Sequence, residues 1–173
     1  MMIHPIRKMG DPCLLVRSSE ITAEEFNSSA LFQLIQDLQD TQKHLGGVGI
    51  AAPQIGINKR LVIIEYYQAE ITRYSDVGDC PLKVIINPEI ILLDGEQTTF
   101  NEGCLSVPGL RGEVSRPQAI SYKYYDQFGN LHQGEDNGFF ARVMQHECDH
   151  LDGILYPMRM QDISKLAFVD IET

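Results

Sequence analysis

The sequence has no surplus of positive charge, no cluster of Lys or Arg, no Cys-x-x-Cys pair and no apolar run that approaches a membrane span. Its 24 acidic residues against 14 basic ones give a formal charge of −10 and a pI of about 4.8. A body of that sign repels phosphate backbones, which argues against nucleic acid as a general partner. Residues 1–10 hold no apolar leader core, and no window nears the ~20 apolar residues of a spanning helix. No membrane contact and a cytoplasmic location are therefore expected. Cys13, Cys80, Cys104 and Cys148 show no disulfide-rich spacing. Reduced thiols are the simpler reading, which leaves Cys104 free to act as a ligand. There is no internal repeat, low-complexity tract or linker. With 43% hydrophobic and 22% charged residues, the 173-residue chain fits one domain, residues 1–173, with a sizeable core.

Residues 1–20 read as irregular, with a turn at Asp11-Pro12. From Thr22 to Leu45 the spacing of Leu31, Leu34, Ile35, Leu38 and Leu45 predicts a helix, ended by Gly46-Gly47. Its leucine stripe reads as core. Leu61 to Glu65 predicts a buried strand. Val84–Asn87 and Glu89–Leu93 predict two strands split at Asn87-Pro88. Ala119–Asp126 and Leu131–Gly134 predict a hairpin turned at Phe128-Gly129-Asn130. Gly138 to Leu151 predicts a second helix, stopped by Gly153. Asp162 to Val169 predicts a short third one. Tyr66 to Pro81 is polar and turn-rich, as an exposed loop would be. Strands grouped between helices without β-α-β alternation argue for an α+β fold.

The second helix carries Gln145-His146-Glu147-Cys148-Asp149-His150. Four helical residues turn about 400°, so His146 and His150 share an azimuth one turn apart. Both imidazoles can reach one divalent ion, and Glu147 beside them can reach a water on it. A solvated His/Glu face is the plainer explanation, but the run directly follows Phe139, Phe140, Val143 and Met144. Cys148 lies about 200° from His146 and reads as core. His4, His44 and His132 have no neighbours at metal spacing.

A catalytic ion usually takes three protein ligands and keeps one position for water. The longer metallopeptidase pattern would place a third His where Tyr156 stands, and a downstream Glu would have to be Glu172. Upstream, Glu102-Gly103-Cys104-Leu105-Ser106-Val107-Pro108 could present a side chain from a rigid loop, although a lone Cys is more often a small buried hydrophobe. Gly47-Val48-Gly49-Ile50-Ala51-Ala52-Pro53-Gln54 lacks the Gly-Lys-Ser/Thr of a phosphate loop. Its glycines permit unusual dihedrals or close approach, and Gln54 is a neutral donor that could face an oxyanion. Taken alone, this segment reads better as a tight turn into a strand.

Together the three segments resemble the peptide deformylase family, whose motifs are Gly-x-Gly-x-Ala-Ala-x-Gln, Glu-Gly-Cys-Leu-Ser and Gln-His-Glu-x-Asp-His. They occur here in family order, at Gly47–Gln54, Glu102–Ser106 and Gln145–His150. The likeness runs from about Pro5 to Tyr156, with a loop at 66–81 longer than in short family members. It implies mixed or antiparallel sheets packed around a central metal-binding helix. It makes Cys104 the third ligand beside His146 and His150. It implies Fe²⁺ in the cell, with Zn²⁺, Ni²⁺ or Co²⁺ able to occupy the site. The expected substrates are N-formyl-methionyl nascent polypeptides, met near the ribosome by a monomer.

In that chemistry Glu147 is the base, and the oxyanion is held by the ion, the Gln54 amide and the Leu105 backbone N–H. Gly49 and Ile50 would line the peptide path, with crowding at Gly49 rejecting acetyl. Phe139 and Val143 are candidate walls of the methionine pocket or plain core residues. Arg111 is a candidate contact to the peptide carbonyl or terminus. Glu102 could orient Arg116 or hold the motif loop. Asp149 could support a ligand histidine or pair at the surface. The rival readings are a zinc metallopeptidase cutting internal bonds and a non-catalytic peptide- or metal-binding module. The first lacks its downstream ligand, and the second would be expected only with Glu147 or a ligand replaced.

Overall fold

The computed structural model describes residues 2–71, 77–93 and 95–170. Among them are two α-helices, α1 (Ser29–Leu45) and α2 (Phe139–Leu151). The strands are β1 (Gly49–Ala51), β2 (Leu61–Tyr66), β3 (Cys80–Leu92), β4 (Gln97–Cys104), β5 (Val107–Pro117), β6 (Ile120–Tyr125), β7 (Leu131–Asp136) and β8 (Ala167–Phe168). One sheet has the order β1-β2-β3-β6-β7 and the other β4-β5-β8. Every strand pair in both sheets is antiparallel. The fold is α+β, as expected.

Strand β2 explains why Leu61 to Ile64 reads as an unbroken apolar run: the five-stranded sheet is covered on both faces. Leu61 and Ile63 pack with Leu31, Ile35 and Leu38 of α1. Val62 and Ile64 point the other way, onto Ala141, Met144, Cys148 and Leu151 of α2. The period of two sorts alternate residues to opposite helices. Helix α2 thus has one apolar face on the large sheet. Its opposite face meets the smaller sheet through charged side chains.

Four local expectations change. Helix α1 starts at Ser29, not Thr22, because the Ser28 hydroxyl accepts the Leu31 N–H and Asn27 sits at φ 58°, outside the helical region. The two strands around Asn87 are one, β3, with a register shift between Ile86 and Glu89. Asn87 takes φ 49° there; its N–H donates to Arg60 O at 2.9 Å, and its side chain accepts from Ile21 N and donates to Ile21 O. Residues 162–169 form a 3-10 turn, Ile163–Lys165, and then β8 on the edge of β5. Cys104 ends a strand, not a loop: β4 and β5 form a hairpin with Leu105-Ser106 at its tip and Cys104 opposite Val107. That hairpin escapes period-two reading because residues facing inward from it include charged Glu102 and Arg116 as well as Val114. Of the expected loop at 66–81, residues 72–76 lie outside the described residues. Tyr66 and Cys80 are buried, and Ile71 and Val77 pack against the core. Glu172 also lies outside the described residues.

The cap of α1 behaves as expected, but the stripe does not reach it: Leu45, expected as core, is exposed in the last turn, beyond the part of the helix that packs on the sheet. Gly46 takes φ 67° and its N–H returns to the last turn, a left-handed cap that glycine adopts without strain. The buried stripe sets a contrast that denaturant unfolding can read. Leu38 is fully buried, whereas Leu45 is 42% exposed. Leu38→Ala should cost about 2–5 kcal/mol, and Leu45→Ala no more than about 0.5 kcal/mol.

Candidate active site and metal centre

Helix α2 presents His146 and His150 one turn apart, their ring centroids 5.1 Å from each other. The tip of the β4–β5 hairpin delivers Cys104, whose Sγ lies 3.2 Å from His150 Nε2. The candidate ligand atoms of Cys104, His146 and His150 all lie within 4.8 Å of one another. Tetrahedral zinc with bonds of ~2.0–2.3 Å has ligand–ligand edges of about 3.3–3.8 Å, so the donor set fits a first-row divalent ion. The ring orientation fits as well. His146 Nδ1 lies 2.9 Å from Glu102 Oε2, which turns its Nε2 toward the cluster in the carboxylate–histidine arrangement common around metals. Tyr156 is buried with its ring near His146 and takes no part in the donor set.

Glu102 is the centre of a buried ion network. Its carboxylate accepts from Arg116 Nε at 2.7 Å and Nη2 at 3.0 Å, and from Arg142 Nη1 at 2.6 Å. Arg116 Nη1 continues to Asp149 Oδ2 at 2.8 Å, and Asp149 Oδ1 accepts from Arg159 Nη2 at 2.6 Å. Burial opposes ionisation of Glu102, but His146 and Arg116 outweigh it and hold the carboxyl well below its ordinary range. The expected pairing of Glu102 with Arg116 is present. Asp149 does not support a ligand histidine: it pairs with Arg116 and Arg159, and Glu102 takes the imidazole. Sequence reading misses Arg142 and Arg159. Arg142 stands four residues before His146, on the same helical face, and that spacing is the available signal.

Cys104 is poised as a thiolate. Burial pushes its pKa up, but the charges and hydrogen bonds of His150 and His146 hold it well below the ordinary thiol range. The Ser106 N–H, at 3.4 Å, and the Gln54 amide, at 3.5 Å, also point at its sulfur. Gln54 is itself fixed: Ala51 N–H donates to its Oε1 at 2.9 Å, so its NH₂ faces Cys104 and the Ser106 hydroxyl. Glu147 is buried, and its Oε2 has no hydrogen-bond partner among the described residues. Burial raises its carboxyl above the ordinary range, only partly offset by His146 and His150.

A cleft of about 1100 Å³ opens over these groups. Gly49, Gln54, Leu105, Arg111, Phe139 and Val143 line it, together with Cys104, His146 and Glu147. Ile50 does not: its side chain is fully buried in the cluster under α1. The two motif glycines serve close approach, since neither has a positive φ. A Cβ on Gly47 would lie 3.1 Å from Leu105 Cδ1, and one on Gly49 only 2.7 Å from Glu147 Oε1. Cys148 is buried core, as expected, and His4 and His132 pair with Asp37 and Asp126 away from the cluster.

Known proteins show the same arrangement of sequence and fold. The family model described as Polypeptide deformylase matches residues 3–166. Peptide deformylase 2 of Pseudomonas syringae pv. tomato is 48% identical over 170 residues, 98% of this chain and 94% of the relative. Peptide deformylase 1 of Nitrosomonas europaea is 44% identical over 169 residues, with the same coverage. Among solved structures, a class I type b peptide deformylase of Acinetobacter baumannii bound to Met-Ala-Ser superposes with a TM-score of 0.86 at 38% identity, covering 92% of this chain and 99% of that one. The Synechococcus elongatus peptide deformylase in complex with actinonin superposes with a TM-score of 0.81 at 31% identity, covering 94% of this chain and 81% of that one.

Two substitutions probe the geometry. Glu102→Gln removes the counter-charge of Arg116 and Arg142 and frees the His146 ring, so metal titration should show affinity about 10–100-fold weaker. Gly49→Ala puts a methyl where the Glu147 carboxylate sits. Ion content should stay at the unaltered level while kcat falls at least about tenfold, since misplacement by ~1 Å can cost on the order of 10²-fold.

Proposed function

Because the chain belongs to the polypeptide deformylase family, we propose that the cleft over Cys104, His146 and His150 is its catalytic site and that residues 1–173 work as one catalytic domain. The protein is a metal-dependent hydrolase that removes the formyl group from the N-terminus of nascent proteins. The observation that carries the assignment of the site is the convergence of one thiol and two imidazoles beside a buried Glu147 whose Oε2 has no partner among the described residues. A divalent ion on these three residues supplies Lewis acidity, acidifying a water toward neutral pH and polarising the formyl carbonyl. In the cell we assign that ion as Fe²⁺. Zn²⁺, Ni²⁺ and Co²⁺ suit the same donors, because thiolate and imidazole do not discriminate sharply among first-row ions.

Glu147 takes the proton from the attacking water. Burial raises its pKa, which favours holding that proton until it is delivered to the leaving amine. Gln54 Nε2 and the Leu105 N–H donate to the oxygen that gains charge, from a rigid helical turn and a hairpin tip. The products are formate and a peptide with a free amino terminus. Strand β1 is an edge strand, paired among the described residues with β2 alone, so an extended peptide can lie along it by strand addition. Ile50 belongs to that path through its backbone, while its side chain anchors β1 in the core. Phe139 and Val143 form the wall for the methionine side chain. Arg111 lies over Gly103, and its buried Nη1 has no hydrogen-bond partner among the described residues, so it is a free donor for a peptide carbonyl or terminus. The Met-Ala-Ser bound to the Acinetobacter relative supports this peptide-sized reading. We place the enzyme in the cytoplasm near the ribosome, acting as a monomer. No helix of the described residues is long and apolar enough to cross a membrane.

The decisive assay is formate release from formyl-Met-Ala-Ser by anaerobically metallated protein, with acetyl-Met-Ala-Ser and an unblocked peptide left intact. Cleavage of the unblocked peptide would favour an internal peptidase, and binding without turnover a recognition module. Glu147→Ala should keep its ion and lose nearly all turnover; loss of the ion would make Glu147 structural instead. Cys104→Ser should weaken or change ion binding, and unaltered ion content would remove Cys104 from the ligand set. The acid limb of kcat/KM should lie above the ordinary glutamate pKa of about 4.3, because burial raises the base.

A further inference from the structure

The irregular segment before α1 touches two of the three motifs and the residue that follows the third. Arg7 N–H donates to Gln54 O and Met9 N–H to Ser106 O, both at 2.7 Å. Farther along, Ser18 N–H donates to Leu151 O at 2.8 Å, just past His150. Gly153, at φ 76°, lies so close to the segment that a Cβ would stand 2.7 Å from the Leu15 carbonyl carbon. The segment is anchored along its length. The Arg7 side chain lies over Gly56 and pairs with Asp11 at 3.5 Å. Asp11 caps the 3-10 turn Pro12–Leu15, and Leu14 is buried with Val107 and Tyr156.

Resting on the catalytic reading above, we propose that residues 7–18 are a positioning strap that sets the spacing of the two oxyanion donors. Gln54 supplies one donor through its side chain, and Leu105, next to Ser106, supplies the other through its backbone. Their elements come from different sheets. The strap grips the carbonyl of Gln54 and the carbonyl of Ser106 with two N–H groups only two residues apart. Two residues of chain span at most about 7 Å, so the strap bounds the separation of the two carbonyls, adding to the direct contact of Gln54 Nε2 with Ser106 Oγ at 3.2 Å. The strap does not touch the reacting atoms; it acts through Gln54 and the hairpin tip.

The test uses the full-length metallated enzyme and compares Met9→Pro, which deletes one N–H, with Met9→Leu, which keeps it. Met9 is half exposed, so Met9→Leu should match the unaltered enzyme. Met9→Pro should lower kcat about tenfold, less than the ~10²–10³ lost with a whole donor. Its KM should stay within about twofold, at unchanged ion content and with a similar melting temperature. Equal kcat for the two variants would overturn the proposal. Hydrogen exchange on the unaltered protein gives a second reading that does not depend on the variants folding. Coupling between sites is reciprocal, so saturating actinonin should slow exchange of the Arg7 and Met9 amides, and unchanged exchange at both would also overturn it. Absence of formate release by the unaltered protein would instead count against the catalytic reading and leave the exchange result to judge the strap.

Discussion

Glu102 is a buried negative charge two residues before Cys104, held by Arg116, Arg142 and His146. A lone carboxylate in that place would carry a desolvation cost of several kcal/mol. Three cationic or hydrogen-bonding partners from β5 and α2 offset it, and in doing so they fasten the hairpin that carries the thiol to the helix that carries the imidazoles. The donor set depends on this fastening, because Cys104 and His150 are 46 residues apart in sequence. The same contact orients His146, so one carboxylate aligns an imidazole of the cluster and joins two layers of the fold. Gln145 adds a second tie, donating from α2 to Pro117 O at the end of β5.

Around this joint, absence of side chains matters as much as presence. Gly47 makes room for Leu105 and Gly49 for Glu147. Strand β1 can therefore approach the hairpin tip and the catalytic helix together. The protein is acidic overall, yet the carboxylates lining the cleft among the described residues are only Glu102 and Glu147. The first is neutralised by its cations. The second is pushed toward its protonated form by burial, which suits the base role proposed for it.

Apolar periodicity is a good guide wherever a face is buried by hydrophobic residues. The stripe of α1, the run of β2, the β6–β7 hairpin and the helix Phe139–Leu151 are all legible in the sequence. The β4–β5 hairpin is not, because charged side chains occupy inward positions that periodicity assigns to apolar ones. Asn87-Pro88 resembles a break for a different reason: the Asn87 N–H still donates to Arg60 O while its side chain ties Ile21 to the strand, and β3 continues through a register shift. Helix α1 begins later than its spacing suggests because residues 22–27 carry helix-compatible side chains but form a turn closed by Thr22, Glu25 and Asn27.

Residue by residue, the site divides along a physical line. The relation among His146, Glu147 and His150 follows from the 3.6-residue period of a helix and is determined by the sequence alone. The motif order also carries the family, and the resemblance makes Cys104, Gln54 and Leu105 the candidates of the proposed site. Only the tertiary structure decides that Glu102, and not Asp149, takes the His146 imidazole, that Ile50 turns into the core, and that the motif glycines act as sockets. Each of these is a contact between segments distant along the chain or a choice between two faces of an element. Such outcomes are set by how helices and sheets pack against one another, which spacing along the chain does not encode.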